Sequence, residues 1–255
     1  MRLFRLTLAI SLLFLASGAV FAAEDEEAAK VSEESHVSFA QEIDFTSQYV
    51  WRGFALSDGP VMQPESSLGI YDLTLNLWAN FVLNDEPGQG KFTEVDPSID
   101  YYFKLGGFEF QPSFEYYFYP NQTNSPSTGE LSLWIAYTLG PVQIFTDQIV
   151  DVVRNAGAYY GDFGVQHERK LVEKLDLRVS AALGWASFQF NDLYGGVSKT
   201  ALNVFLGDLE LTYRPFKHLY LRPHMQVSAL IDPDVRAAAS DPTIVSGGLA
   251  LGLTF

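Results

Sequence analysis

The chain has 255 residues, no cysteine and a formal net charge of −15, with 16 Lys and Arg set against 31 Asp and Glu. That balance excludes a nucleic-acid reader, which needs a basic footprint. The missing Cys excludes both a disulfide-stapled scaffold and a Cys-ligated metal centre, leaving one domain held by a large sheet or core.

Residues 1–22 read as a secretory signal, with Arg2 and Arg5 ahead of an apolar run and Val20-Phe21-Ala22 as the cleavage site before Ala23. Residues 23–35 carry Glu24, Asp25, Glu26, Glu27, Glu33 and Glu34. They read as an acidic, disordered periplasmic segment that cannot bury a core. No later stretch supplies the roughly 20 consecutive apolar residues of a membrane helix. That leaves strands, which hide half of their apolar residues between polar ones.

Residues 36–52 alternate. Val37, Phe39, Ile43, Phe45, Tyr49 and Trp51 share one face, while Glu42, Asp44, Thr46, Gln48 and Arg52 share the other. Burying the acids in a dry core would be costly, and so would exposing the aromatics to water. A barrel in lipid satisfies both faces. A turn cluster at 53–60 leads to a weaker strand over 62–70, interrupted by Pro64, and a tight turn at 71–72 leads to another over 73–83. Residues 93–105 and 108–119 form the clearest hairpin. Ile99, Phe110, Phe114 and Phe118 face outward from it, with Glu94, Asp96, Asp100, Lys104, Glu109 and Glu115 inward and Gly106-Gly107 as its turn. Pro97 and Pro112 each remove a ladder donor and are expected to mark local bulges.

Further strands are expected over 131–139, within 142–167, and over 175–188, 201–213 and 219–231. The phase between 142 and 153 is ambiguous, 168–174 suits a short turn of helix, and 191–199 and 232–242 are polar loops. The last stretch, 243–255, sets Val245, Gly247, Leu249, Leu251, Leu253 and Phe255 against Ser246, Gly248, Ala250, Gly252 and Thr254. It resembles the C-terminal strand by which bacterial outer-membrane barrels engage the barrel-assembly machinery. Short connections at 71–72, 106–107, 140–141 and 214–217 alternate with longer ones, as in such barrels. The expected fold over 36–255 is therefore all-β, a closed antiparallel transmembrane barrel of about twelve strands with both termini in the periplasm.

Chemistry of an enzymatic kind is not indicated. His36, His167, His218 and His224 are scattered, and no cofactor or metal motif occurs. The inward face is the informative set: Glu42, Asp44, Glu94, Asp96, Asp100, Glu109, Glu115, Glu130, Asp208 and Glu210 are acidic, and Arg52, Lys104, Arg178 and Arg222 are basic. These residues are expected to line a pore and tune its selectivity. Bulky inward Trp78, Tyr102, Tyr117 and Trp134 are the side chains that would plug it.

The segment Asp44-Phe45-Thr46-Ser47-Gln48-Tyr49-Val50-Trp51-Arg52-Gly53, followed by Ser57-Asp58-Gly59-Pro60, resembles the opening element of the TorF-like porins. The resemblance covers only this start of the barrel. It implies an outer-membrane barrel with porin activity and no assigned solute, in which Arg52 ends the first strand at the extracellular rim and Gly53 permits the turn. The expected function is passive diffusion of small hydrophilic solutes, with cations or neutral molecules preferred. The alternative is a non-conducting structural or surface-binding barrel, or an enzyme acting on lipid. Outer-membrane lipid and the assembly machinery are the expected partners.

Overall fold

The computed structural model describes residues 36–84 and 88–255, so the expected signal and acidic segments lie outside the described residues. Alternation produces the strands, and burial shows which face is which. In β1 (Val37–Thr46), Phe45 is 43% exposed while Glu42 is 2% exposed. That inverts the pattern of a sheet in water, where the apolar face is the covered one.

The elements follow as β2 (Val50–Trp51), β3 (Phe54–Ala55), β4 (Val61–Ile70), β5 (Leu73–Val82), β6 (Phe92–Tyr101), β7 (Phe103–Leu105), β8 (Phe108–Tyr117) and β9 (Thr128–Leu139). After them come β10 (Val142–Asp151), β11 (Tyr159–Val172), β12 (Leu175–Ala186), α1 (Phe188–Gly195), β13 (Ala201–Phe216), β14 (Leu219–Leu230), α2 (Pro233–Ala238) and β15 (Thr243–Thr254). β1 pairs antiparallel with both β4 and β15, and β8 pairs with β9 on one side and with β6 and β7 on the other. The sheet therefore closes with no free edge. β6 and β7 are one wall strand broken at Tyr102, which makes a twelve-stranded barrel, while β2 and β3 stand apart as a small hairpin. Phe39 and Phe255 exchange two backbone hydrogen bonds where the first and last strands meet. Among the described residues no helix is long and apolar enough to cross a membrane.

Several expectations are corrected. The stretch 168–174 is not a helical turn: β11 runs to Val172 and β12 begins at Leu175. The connection expected at 214–217 is shorter, since β13 reaches Phe216. The loops at 191–199 and 232–242 contain α1 and α2. α1 is capped by the Ser187 side chain, and α2 by Asp232 with Pro233 at its first turn. Neither Pro97 nor Pro112 makes a bulge. Pro97 stays in register with Leu77, and Pro112 with Leu133. Both prolines fall in gaps of the ladder on β8's side, Pro97 between Val95↔Phe118 and Ser98↔Glu115, and Pro112 between Asp100↔Ser113 and Phe103↔Phe110. A missing N–H costs nothing where no bond is made. The irregularities lie elsewhere, between Asn80 and Phe81, Lys170 and Val172, Gly184 and Trp185, and Tyr213 and Phe216.

Large inward side chains find space by lying over glycines of the neighbouring strand. A Cβ on Gly252 would sit 2.1 Å from Tyr220 Cζ, and one on Gly184 would sit 2.3 Å from the Tyr160 hydroxyl. Gly252→Val should therefore displace Tyr220 and cost about 1–3 kcal/mol, as overpacking does. Denaturant unfolding followed by heat-dependent migration on gels checks this, and an unchanged midpoint would contradict the packing.

Candidate functional site

The barrel interior gathers the charged residues. Alternation places Glu42 and Asp44 on β1, and Glu94, Asp96 and Asp100 on β6. Glu109 and Glu115 come from β8, Glu130 from β9, Arg178 from β12, Asp208 and Glu210 from β13, and Arg222 from β14. Of these, all but Asp44, Glu115, Asp208 and Glu210 are buried. Lys104 is the exception: its side chain is 59% exposed on β7 beside the short turn, 3.7 Å from Glu109. It belongs to the rim.

Arg178, Arg222 and His224 are each paired with acids. Arg222 bonds Glu42, to which Tyr220 also donates. Arg178 forks onto Glu210, with Nε 3.2 Å from Oε2. His224 meets Asp44 at 2.9 Å, and Asp208 accepts from Ser180 and Gln226. These pairs lie on β12–β14 and β1. The arc from β4 to β11 carries mostly acids on its inward face, with Lys104 of β7 at its rim.

On that arc and at its border with β1, register sets like charges side by side. Glu42 faces Glu65, Glu115 faces Glu130, and Asp147 faces Asp162. Directly opposed like charges on paired strands are destabilising unless something intervenes. Tyr117 intervenes in the second pair, its hydroxyl 2.9 Å from Glu115 and 2.8 Å from Glu130. In the first pair Glu42 has Arg222, but the Oε1 of Glu65 has no partner. In the third, Asp162 accepts the Asp147 backbone N–H at 3.2 Å, while the Oδ1 of Asp147 is unpartnered.

Arg52 is placed differently from expectation. β1 ends at Thr46, and the chain turns into the barrel, where β2 and β3 form a two-residue hairpin with Trp51 opposite Phe54. Both tip residues have positive φ, 48° at Arg52 and 100° at Gly53, as a type I′ turn requires. Arg52 reaches across to β9 and grips both Glu130 oxygens, at 2.9 and 2.6 Å. Its guanidinium lies 4.2 Å from the Trp51 ring centroid and 5.0 Å from that of Tyr160. On the far side the hairpin presses on β13 and β14, for a Cβ on Gly53 would come within 2.8 Å of Leu230. Gly53→Ala should thus cost about 1–3 kcal/mol through strain and crowding combined, measurable as a lowered denaturation midpoint.

The hairpin completes an apolar plug at the long-loop end. Phe190 of α1, Val235 of α2 and the wall residues Ile149, Tyr160, Val204 and Leu230 form one buried cluster, with Trp51, Phe54 and Tyr194 packed against it. The amides of Asn191 and Asn203 bond each other beneath α1, and Lys199 binds Asp232 at 2.8 Å and Asp234 at 2.7 Å. The Lys199 ammonium hydrogen-bonded to it holds the Asp232 carboxyl below its ordinary range. The bulky residues singled out earlier line walls instead: Trp134 packs beside the Ala136, Phe145 and Ala182 cluster, Trp78 meets Tyr49, and Tyr102 bonds Glu109.

Sequence reading missed Glu65, Asp147 and Asp162. Glu65 hid next to Pro64 in a strand of weak pattern. Asp147 sat between inward Phe145 and Ile149, whose apolar character erased the alternation. Their cross-strand partners were the available signal, and these emerge only with the register. Among the described residues no group of three or more His, Asp or Glu is arranged to hold a metal ion.

No protein-family model matches the sequence, and neither does any curated protein. Solved structures do resemble the fold. The NanC porin superposes with a TM-score of 0.53 at 9% identity, over 84% of this chain and 98% of that one. The KdgM porin gives 0.50 at 10% identity, over 85% and 98%. The chain is thus similar to these porins in its closed antiparallel barrel.

Proposed function

We propose that the protein is an outer-membrane porin of the TorF-like kind, passing small hydrophilic solutes by passive diffusion and preferring cations or neutral molecules to anions. The acidic inward arc from β4 to β11 is the observation that carries the preference. Acids in excess of bases on a low-dielectric wall raise the local concentration of counter-cations. The outward face supports membrane residence: Phe45, Leu75, Ile99, Phe163, Leu183, Leu249 and Leu251 are all exposed, far more apolar surface than a protein in water presents. Short turns and both described chain ends lie at one end of the barrel, which is the periplasmic end in this reading. The strand ending at Phe255 is the element offered to the barrel-assembly machinery.

The test is the reversal potential in asymmetric KCl. The wild type should be cation-selective, and neutralising Asp96, Asp100, Glu109 and Glu115 together should reduce that selectivity several-fold. Anion selectivity in the wild type, or no change in the quadruple variant, would remove these carboxylates as the source of the pore's charge. One observation favours a second reading, a non-conducting barrel: the plug of β2, β3, α1 and α2 at the long-loop end. Absence of channels in planar bilayers from correctly folded protein would decide for it.

A further inference from the structure

We infer that the lumen contains a binding site for an organic cation, a linear diamine or related alkylammonium. The site is a cavity of about 250 Å³ bordered by the inward hairpin. It rests on the porin reading only for the route by which a ligand arrives.

Five carboxylates line the cavity, Asp100, Glu115, Glu130, Asp147 and Asp162, with Trp134 and Tyr160 among them. The base in that lining is Arg52, and Glu130 already holds both of its guanidinium nitrogens. Asp147 and Asp162 oppose each other in register, and no basic side chain pairs with either among the described residues. Two carboxylates so placed need a proton or a cation between them, because their repulsion is poorly screened away from bulk water.

Independent of the acidity, two deeply buried polar atoms in this lining lack partners. Asp100 is 3% exposed and its Oδ1 accepts nothing, although Asn76 donates to Oδ2. Tyr160 is 2% exposed and its hydroxyl is also unpartnered. A folded chain normally satisfies such atoms, and those it leaves open in a cavity call for a donor from a ligand. An ammonium has three donors and no acceptor, which suits carboxylate oxygens.

The lining selects an organic over an inorganic cation. The carboxylates come from β6, β8, β9, β10 and β11 and do not converge as metal ligands. Between them stand the π-systems of Trp134 and Tyr160 and the apolar Phe145, Ile149 and Leu206. Aromatic faces attract alkylammonium groups, and the apolar surface suits a methylene chain. The lining offers Asp147 with Asp162 to one ammonium end, and Asp100 and Glu115 to a second.

Isothermal titration of the full folded protein in detergent micelles with 1,4-diaminobutane, 1,4-butanediol and MgCl₂ tests the site. The diamine should bind saturably with one site. The diol should give no signal, and Mg²⁺ should bind at least tenfold more weakly. Asp147→Asn combined with Asp162→Asn should weaken diamine binding at least tenfold, and Asp100→Asn alone should weaken it measurably. No diamine binding, or equal binding of Mg²⁺, would overturn the site, as would a double variant that binds like the wild type. The titration needs no conduction. A barrel that binds diamine yet forms no channels keeps the site and loses the porin reading, and a conducting barrel blind to diamine does the reverse.

Discussion

Replacing Arg52 with Met should destabilise the barrel by about 3–5 kcal/mol, the cost of stranding one member of a buried ion pair. Both partners are covered, with side-chain exposures of 11% for Arg52 and 6% for Glu130. Glu130 would keep Tyr117, which it already shares with Glu115, but nothing would neutralise it. Its register neighbour Glu115 would then face a bare charge. The hairpin would also lose its hold on the β9 wall, so the plug should open more often. A conducting barrel should then show larger or longer open events in planar bilayers. Adding Glu130→Gln to Arg52→Met should recover part of the lost stability, because it removes the orphaned charge. Denaturant unfolding of the two single variants and the double variant gives the coupling directly. If the single Arg52 variant is as stable as the wild type, the ion pair does not anchor the hairpin.

The second large effect concerns the outer wall. Leu77→Arg, in the middle of β5, should cost about 2–4 kcal/mol in a bilayer, because a guanidinium at that depth faces hydrocarbon. Leu77 pairs with Ser66 on one side and Pro97 on the other, so its strand position is well inside the ladder. Ser113→Ala on the inward face should cost about 1 kcal/mol, the loss of one hydrogen bond to Ser132. Reversible unfolding from lipid vesicles compares the two. Equal tolerance at both positions would mean that the faces are assigned the wrong way round, since a one-residue slip exchanges them all.

Much of this architecture is local and therefore written in the order of residues. Period-two alternation over 93–119 separates Phe110, Phe114 and Phe118 from Glu94, Asp96, Glu109 and Glu115, and the structure keeps that division. Turn chemistry at Gly106-Gly107, both with positive φ, marks a hairpin without reference to anything distant. The strand number follows to within the stretch 142–168, because every other strand announces itself separately.

What no local pattern contains is the partner across the barrel. Arg52 reads as the end of a strand until the fold carries it over to Glu130, 78 residues later in the chain. The opposition of Asp147 to Asp162, and of Glu42 to Glu65, depends on register, which closure and turn lengths set together. Ile149 and Val204 beneath the plug, and Phe145 in the wall cluster with Ala136 and Ala182, face inward as apolar residues, and alternation fails for that reason. A strand reports only how its two faces differ. When packing inside the lumen makes both faces apolar, the tertiary structure alone decides which one looks in.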